Sequence, residues 1–265
     1  MLSAGVALSA IMALAWVIQQ RSDNSGWVDV SWSLGVGSVA FLVALYPMHA
    51  SWPHWRQLAV AILALCWSLR LGVHISGRAR GVADDPRYRD LITEWGANAQ
   101  RRMFRFLQSQ AAVGAVLVIS IGLAAHNPDP KLRAFDLIGV ALLIGAIVGE
   151  SVADRQLRLF KAKAESRGKV CDMGLWRWSR HPNYFFEWLY WVGVAVTAID
   201  AGGYNPYGWL ALAAPVSMYW VLVHVSGIPP LEAHMLRSRG DEFRAYQRRT
   251  SAFFPFPPST YGGAP

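Results

Sequence analysis

Residues 2–19 read LSAGVALSAIMALAWVIQ, eighteen residues in a row without a charge. At 1.5 Å per residue such a helix is about 27 Å long, close to the roughly 30 Å of hydrocarbon in a bilayer. Its surface carries no polar stripe of the kind that marks a helix in a soluble bundle. No basic stretch precedes it and no small-x-small site follows it, so it reads as a mature helix and not as a cleaved signal. Six further apolar stretches follow, at Trp27–Tyr46, Gln57–Ile75, Ser109–His126, Phe135–Ala153, Tyr184–Ile199 and Tyr207–Gly227. The fold class expected is therefore an all-α integral membrane protein, a bundle of seven transmembrane helices.

Composition agrees. Of 265 residues, 54% are hydrophobic and only 16% charged, with thirteen Trp and a mean hydropathy of +0.24. Ordinary soluble domains carry about 25% charged residues. So apolar a chain cannot be intrinsically disordered, and two cysteines cannot form a disulfide framework. Repeats and low-complexity linkers are absent from the sequence, which reads as one domain over residues 1–265. The cysteines and histidines show no metal-ligand spacing, so no metal is expected.

The basic residues set the orientation. Seven arginines lie between Arg78 and Arg105, eight lysines and arginines between Arg155 and Arg180, and five arginines between Arg237 and Arg249. The opposite loops hold Arg56, Lys131 and Arg133. Positive-inside topology then places the N-terminus outside and the C-terminus in the cytoplasm, matching an odd number of spans. The net charge of +8 thus sits on one face, where it serves topology and anionic lipid or receives an anionic cofactor. No nucleic-acid motif accompanies it, so nucleic acid is not an expected partner.

Charged groups inside spans are costly and mark function. Asp29 starts the second span and Arg70 lies deep in the third. Glu150 and Asp154 lie four residues apart on one face of the fifth, which Arg158 continues. Glu187 is one turn into the sixth. Each has a plain alternative: Asp29 as a helix cap or as a partner of Arg70, Asp154 with Arg158 as an i,i+4 pair, Glu187 as an arginine partner. The densest string is Gly174–Trp188, GLWRWSRHPNYFFEW. Pro182 favours a helix start and an extended His181. The free N–H groups of that start, flanked by Arg177 and Arg180, suit an anion, and Asn183 suits an amide. A second string, from Glu232 through His234 and Tyr246 to Phe253-Phe254-Pro255, reads as an amphipathic surface helix with a Pro stop, an anchor or a lid.

Ser179-Arg180-His181-Pro182-Asn183-Tyr184 with Glu187 resembles the C-terminal signature of the steroid 5α-reductase family. Ala153–Lys161, Arg249–Pro255 and Val28–Trp32 fit the same group, and the likeness is greatest to its bacterial membrane branch. The resemblance spans nearly the whole chain, more specific from Glu150 onward; residues 135–265 would form the cofactor-binding part and residues 1–126 the less specific helices. It implies a seven-helix reductase of the bacterial inner membrane that uses NADPH from the cytoplasmic side and reduces the 4,5 double bond of 3-oxo-steroids or related enone lipids. By similarity, Asp154, Arg158, Asn183 and Glu187 hold NADPH, with Lys161 ending the Asp154 segment. Arg70, Arg78 and Arg80 approach its phosphates, and Tyr88, Arg180, His181, Tyr184, His234 and Tyr246 are further candidates. Characterised relatives carry a Gln-Glu pair on the second helix and a Tyr on the third around the substrate carbonyl. Val28-Asp29 and Trp67 stand nearest here, which makes Asp29 and Trp67 the catalytic candidates.

Charge that develops on an enone oxygen during hydride transfer needs a donor in a dry site, and a buried carboxylic acid can supply the proton. The main rival is a membrane methyltransferase of the isoprenylcysteine or phospholipid type, which would use Arg180-His181-Pro182, Glu232 and Tyr246 for S-adenosylmethionine. A transporter would show broken helices at the midplane and inverted repeats, neither of which the sequence displays.

Overall fold

The computed structural model describes residues 2–48, 54–81 and 86–259. Among them the chain is helical, with nine α-helices, short 3₁₀ turns, one π turn and no strand. The helices are α1 (Leu2–Ser22), α2 (Gly26–Ala44), α3 (Trp55–Gly81), α4 (Pro86–Trp95), α5 (Ala99–Ala125), α6 (Ala134–Ala162), α7 (Pro182–Ala198), α8 (Ala213–Trp220) and α9 (Ile228–Arg249). Six stretches are long and apolar enough to cross a membrane: α1, α2, α3 to Arg80, Tyr88–Ala125, α6 and Gly208–Arg249. Large apolar side chains remain exposed along them, such as Leu42, Val73 and Val148, as helices facing lipid require.

Three features differ from the sequence expectation. Helix α7, which carries the stretch expected to span at Tyr184–Ile199, has 17 residues, or about 26 Å, and falls just short of the six. The stretch at Tyr207–Gly227 is not one helix. It comprises a 3₁₀ turn at Gly208–Leu212, α8, and a π turn at Val221–Val225, so a discontinuity does exist there. The amphipathic helix α9 is likewise interrupted, at Gly240, whose φ of 48° and ψ of −118° are not helical.

The chain divides into two compact units. One comprises Met1–Val140 with Val192–Ala214, the other Ala141–Trp191 with Pro215–Pro265.

In the first unit α2 packs against α1, α3 and α5. The α2–α3 contact is close because Gly37 has no side chain: a β-carbon there would lie 2.0 Å from the Ser68 side chain. Ser68 Oγ in turn donates to Ser33 O at 2.9 Å. Indole donors tie α5 in, Trp32 to Gln110 O at 3.0 Å and Trp16 to Gln100 O at 3.2 Å.

A polar knot closes the non-helical end of this unit. Arg56, expected from sequence as a sparse loop charge, is 1% exposed. Its guanidinium donates to both Asp136 oxygens and to the carbonyls of Asn127, Asp129 and Lys131, at 2.8–3.0 Å. Arg133 is drawn in as well, bonding Asp136 and the carbonyls of Thr197 and Ile199. The reason is that carbonyls outside helices need donors where water is excluded. A guanidinium offers five on one rigid plane.

In the second unit α6 and α7 meet closely at Gly149, where a β-carbon would sit 2.3 Å from the Phe186 ring. Trp176 anchors the α6–α7 connection by donating to Ala153 O at 2.9 Å. Phe185, Trp188, Tyr219, Phe253 and Phe254 form an aromatic cluster with centroid separations of 5.1–6.2 Å. It pins the tail after α9 to α7 and α8.

Two outcomes test this packing. Replacing Arg56 by Ala leaves the three carbonyls without their donor and Asp136 with Arg133 alone, and should cost about 1–3 kcal/mol of unfolding free energy in detergent, with Arg56→Lys only partly rescuing. Gly37→Ala should cost about 1–3 kcal/mol by overpacking, and a second change, Ser68→Gly, should restore most of the loss.

Candidate functional site

The sequence string around His181 forms the centre of the second unit. Pro182 begins α7 as its chemistry demands, with its missing N–H falling where a helix has no partner for one. The residues just before it are fixed by polar bonds. His181 N donates to Ser179 Oγ at 3.1 Å, and that hydroxyl donates to Phe253 O at 2.8 Å. Arg180 N donates to Ser251 O at 2.8 Å.

Glu232 on α9 is the hub of this centre. Arg180 Nε donates to its Oε1 at 2.7 Å and Arg180 Nη2 to its Oε2 at 3.3 Å. Gln247 Nε2 donates to Oε2 at 2.8 Å, and His181 Nε2 lies 3.0 Å from Oε1. The other arm of the Arg180 guanidinium donates to the carbonyls of Gln247 and Thr250. Arg180 is therefore engaged within the protein. The start of α7 is not a bare cationic cradle, and its main cation is neutralised by Glu232, a residue that sequence reasoning had singled out only for the methyltransferase alternative.

His181 is 3% exposed and its ring stacks on Tyr184 at a centroid separation of 5.6 Å. Burial pushes its pKa below the ordinary histidine value, against the pull of Glu232. Burial thus favours the neutral ring. An ionised carboxylate only accepts hydrogen bonds, so Nε2 carries the proton and donates to Glu232, leaving Nδ1 as a bare acceptor. That Nδ1 and Asn183 Oδ1 are both buried without a hydrogen-bond partner among the described residues.

The remaining candidates of this unit spread in three ways. Glu150, Asp154 and Glu187 are buried, each about 5–6% exposed, and Glu187 Oε1 accepts from Trp191 at 3.0 Å. Arg158, Lys161 and His234 are exposed, as is Arg177. Tyr246 is buried and its hydroxyl donates to Trp176 O and lies 3.4 Å from Ser179 O, an anchoring role inside the fold.

In the first unit Tyr88, 4% exposed on α4, donates to Asp29 Oδ1 at 2.6 Å. Gln110 Nε2 approaches the same hydroxyl at 3.4 Å. A phenol thus does meet the Asp29 carboxylate, reached from α4 and not from the third helix. Trp67 is fully buried and packs edge-on to Trp32 at 6.4 Å. Arg70 is partly buried on α3, while Arg78 and Arg80 are exposed in its last turn. An apolar cavity of about 480 Å³ lies elsewhere in this unit, lined by Ala4, Ala7, Val39, Leu42, Val43, Tyr46, Met48, Ser3 and His126. None of the candidate residues lines it, and its nearest α2 residue is ten positions from Asp29, about 15 Å along the helix.

These sequence and structural features fall within one known family. The model of DUF1295, a family described as proteins of unknown function, matches residues 15–250, and the chain belongs to that family. It is a steroid 5α-reductase-like family. An uncharacterized protein of Schizosaccharomyces pombe is 24% identical over 95% of this chain and 78% of its own length. No solved structure matches.

The buried neutral histidine makes stability depend on pH with a definite sign. In the unfolded chain His181 takes a proton below about pH 6.5, whereas the folded site resists it, so the unfolded state binds more protons and stability falls as pH falls. Thermal unfolding in detergent should show a lower Tm at pH 5.5 than at 7.5, and His181→Gln should shrink that difference. Equal pH dependence in both proteins would remove His181 from the account.

Proposed function

We propose that this protein is a membrane-embedded, NADPH-dependent reductase of carbon–carbon double bonds in apolar enone lipids, with 3-oxo-Δ4-steroids as the first class to try. The observation that carries the reading is the second unit's polar interior: Asn183 Oδ1, an open buried acceptor at the start of α7, on a unit that also buries Asp154 and Glu187. Membership of a steroid 5α-reductase-like family supports it.

The residues present fit a dinucleotide. Asn183 offers its acceptor to an amide or amine, while Asp154 and Glu187 suit hydroxyl groups as acceptors. Arg158, Lys161 and Arg177 are exposed cations of the same unit and are the proposed phosphate partners, since Arg180 is held by Glu232. When bound, NADPH supplies the hydride. In the first unit, Asp29 and Tyr88 are the proposed proton source: the phenol donates its one proton to the carboxylate at 2.6 Å, and would have to turn it from Asp29 toward a developing oxyanion to act as a general acid. Trp67 shapes the apolar wall near α2. The reading takes α7 as a seventh, short span, the N-terminus outside and the cofactor site toward the cytoplasm, in line with the arginine-rich connections. A bacterial inner membrane is the proposed location.

A second reading is kept alive by one observation. Glu232 joined to Arg180 and His181 is also the set a membrane methyltransferase would bring to S-adenosylmethionine.

Detergent-purified protein should bind NADP⁺, and Asn183→Ala or Asp154→Ala should abolish measurable binding while the protein still elutes as folded. Asp29→Asn should keep cofactor affinity but slow NADPH oxidation with an enone substrate. Binding of S-adenosylmethionine in place of NADP⁺ would favour the second reading instead.

A further inference from the structure

A helix that ends in water leaves its last carbonyls to the solvent. The end of α2 is capped by side chains from two other helices instead. His126, which follows α5, holds its Nε2 2.8 Å from Val43 O. A carbonyl only accepts, so that nitrogen carries the proton and Nδ1 is an acceptor. Gln57, 2% exposed on α3, shares its Nε2 hydrogens among Ala44 O, Tyr46 O and His126 Nδ1 at 3.2–3.3 Å. Its Oε1 accepts from His54 N at 2.9 Å. Caps this complete are needed where water does not reach the carbonyls.

The cavity of about 480 Å³ lies beside these capped carbonyls. On α2 it is walled by Val39, Leu42 and Val43, and on α1 by the small Ala4 and Ala7. Protein interiors hold few voids larger than a water molecule, so a space of this size against a dry wall takes an apolar filler. Its volume is that of a small-molecule site, which spans roughly 300–1,000 Å³. Polar atoms remain only at its rim, where Ser3 and Tyr46 are exposed. Both α1 and α2 are long and apolar enough to cross a membrane, and the start of one meets the end of the other here. Tyrosine at such a helix end marks the boundary between hydrocarbon and head groups.

We propose that this cavity binds one acyl chain of a membrane phospholipid, drawn from the leaflet around the start of α1, with the head group outside the rim at Ser3 and Tyr46. The chain is a structural ligand that fills the gap between α1 and the ends of α2 and α5. It is distinct from the molecule to be reduced, because Val39 stands ten residues from Asp29, about 15 Å along α2. The proposal stands apart from the cofactor reading.

The test is native mass spectrometry of the full-length protein in mild detergent, with palmitoyl-oleoyl phosphatidylglycerol or the matching phosphatidylcholine added. Wild type should retain one molecule of either to a similar extent, since no polar group inside the cavity meets the head. Ala7→Phe puts a ring into the space and should retain roughly tenfold less. Val148→Phe, on the exposed face of α6, should retain as much as wild type. A second readout needs no variant: a phosphatidylcholine with a photoreactive diazirine in its acyl chain should label residues 39–46 several-fold more than residues 144–152. Retention by Ala7→Phe equal to that of wild type overturns the proposal. So does absence of retained lipid in wild type, a tenfold preference for one head group, or equal labelling of the two segments.

Discussion

Two arginines govern this molecule, one in each unit, Arg56 buried and Arg180 half-buried. A chain that crosses lipid can satisfy its backbone only within helices, and the difficulty moves to the places where helices stop. There the carbonyls of non-helical segments face a dry interior. Arg56 gathers three of them onto one guanidinium with Asp136 as counter-charge. Arg180 gathers two, with Glu232 in the same role. Each cation is affordable in the interior only because a carboxylate meets it and nearly every N–H finds an acceptor. The connections between helices are held by these two knots, the segment before α6 by Arg56 and the segment after α9 by Arg180.

The second knot changes how the sequence motif should be understood. Serine, arginine, histidine, proline and asparagine in a row resemble a ligand-binding signature, yet the first two also bond the tail of the chain. Ser179 bonds Phe253 O, Arg180 bonds Thr250 O, and the backbone N–H of Arg180 reaches Ser251 O. Much of the motif is thus structural, a clasp for the C-terminal segment.

The helical membrane architecture was legible in the sequence because it depends on long runs without charge. The start of α7 was legible too, since Pro182 has few other places to stand. What could not be read were partners far apart in the chain. Arg56 looked like one of a few loop charges because its five bonds go to residues 71–80 positions away. Glu232 looked like one acid on an amphipathic helix because Arg180 and His181 lie more than fifty residues before it. The phenol beside Asp29 was sought on the third helix, whereas Tyr88 brings it from the short helix α4. Hydropathy marks burial within one segment, but the pairing of polar groups across segments leaves no periodic trace.

Gly240 gives the last segment a meaning that its composition hides. Glu232 and Gln247 are fifteen residues apart, which in a straight helix would separate them by about 22 Å. Their side chains bond at 2.8 Å, so the segment doubles back at the single residue whose φ is positive. It is a hairpin of two helical arms, and Met235 and Leu236 on one arm share a small core with Phe243 and Tyr246 on the other. Each arm has a phase as well as a length. One residue added to either would rotate its far end by about 100° and carry Glu232 or Gln247 away from the histidine. The spacing of glycine between those two residues is therefore a timing mark in the chain: it decides whether the carboxylate that orients His181 arrives on the correct face.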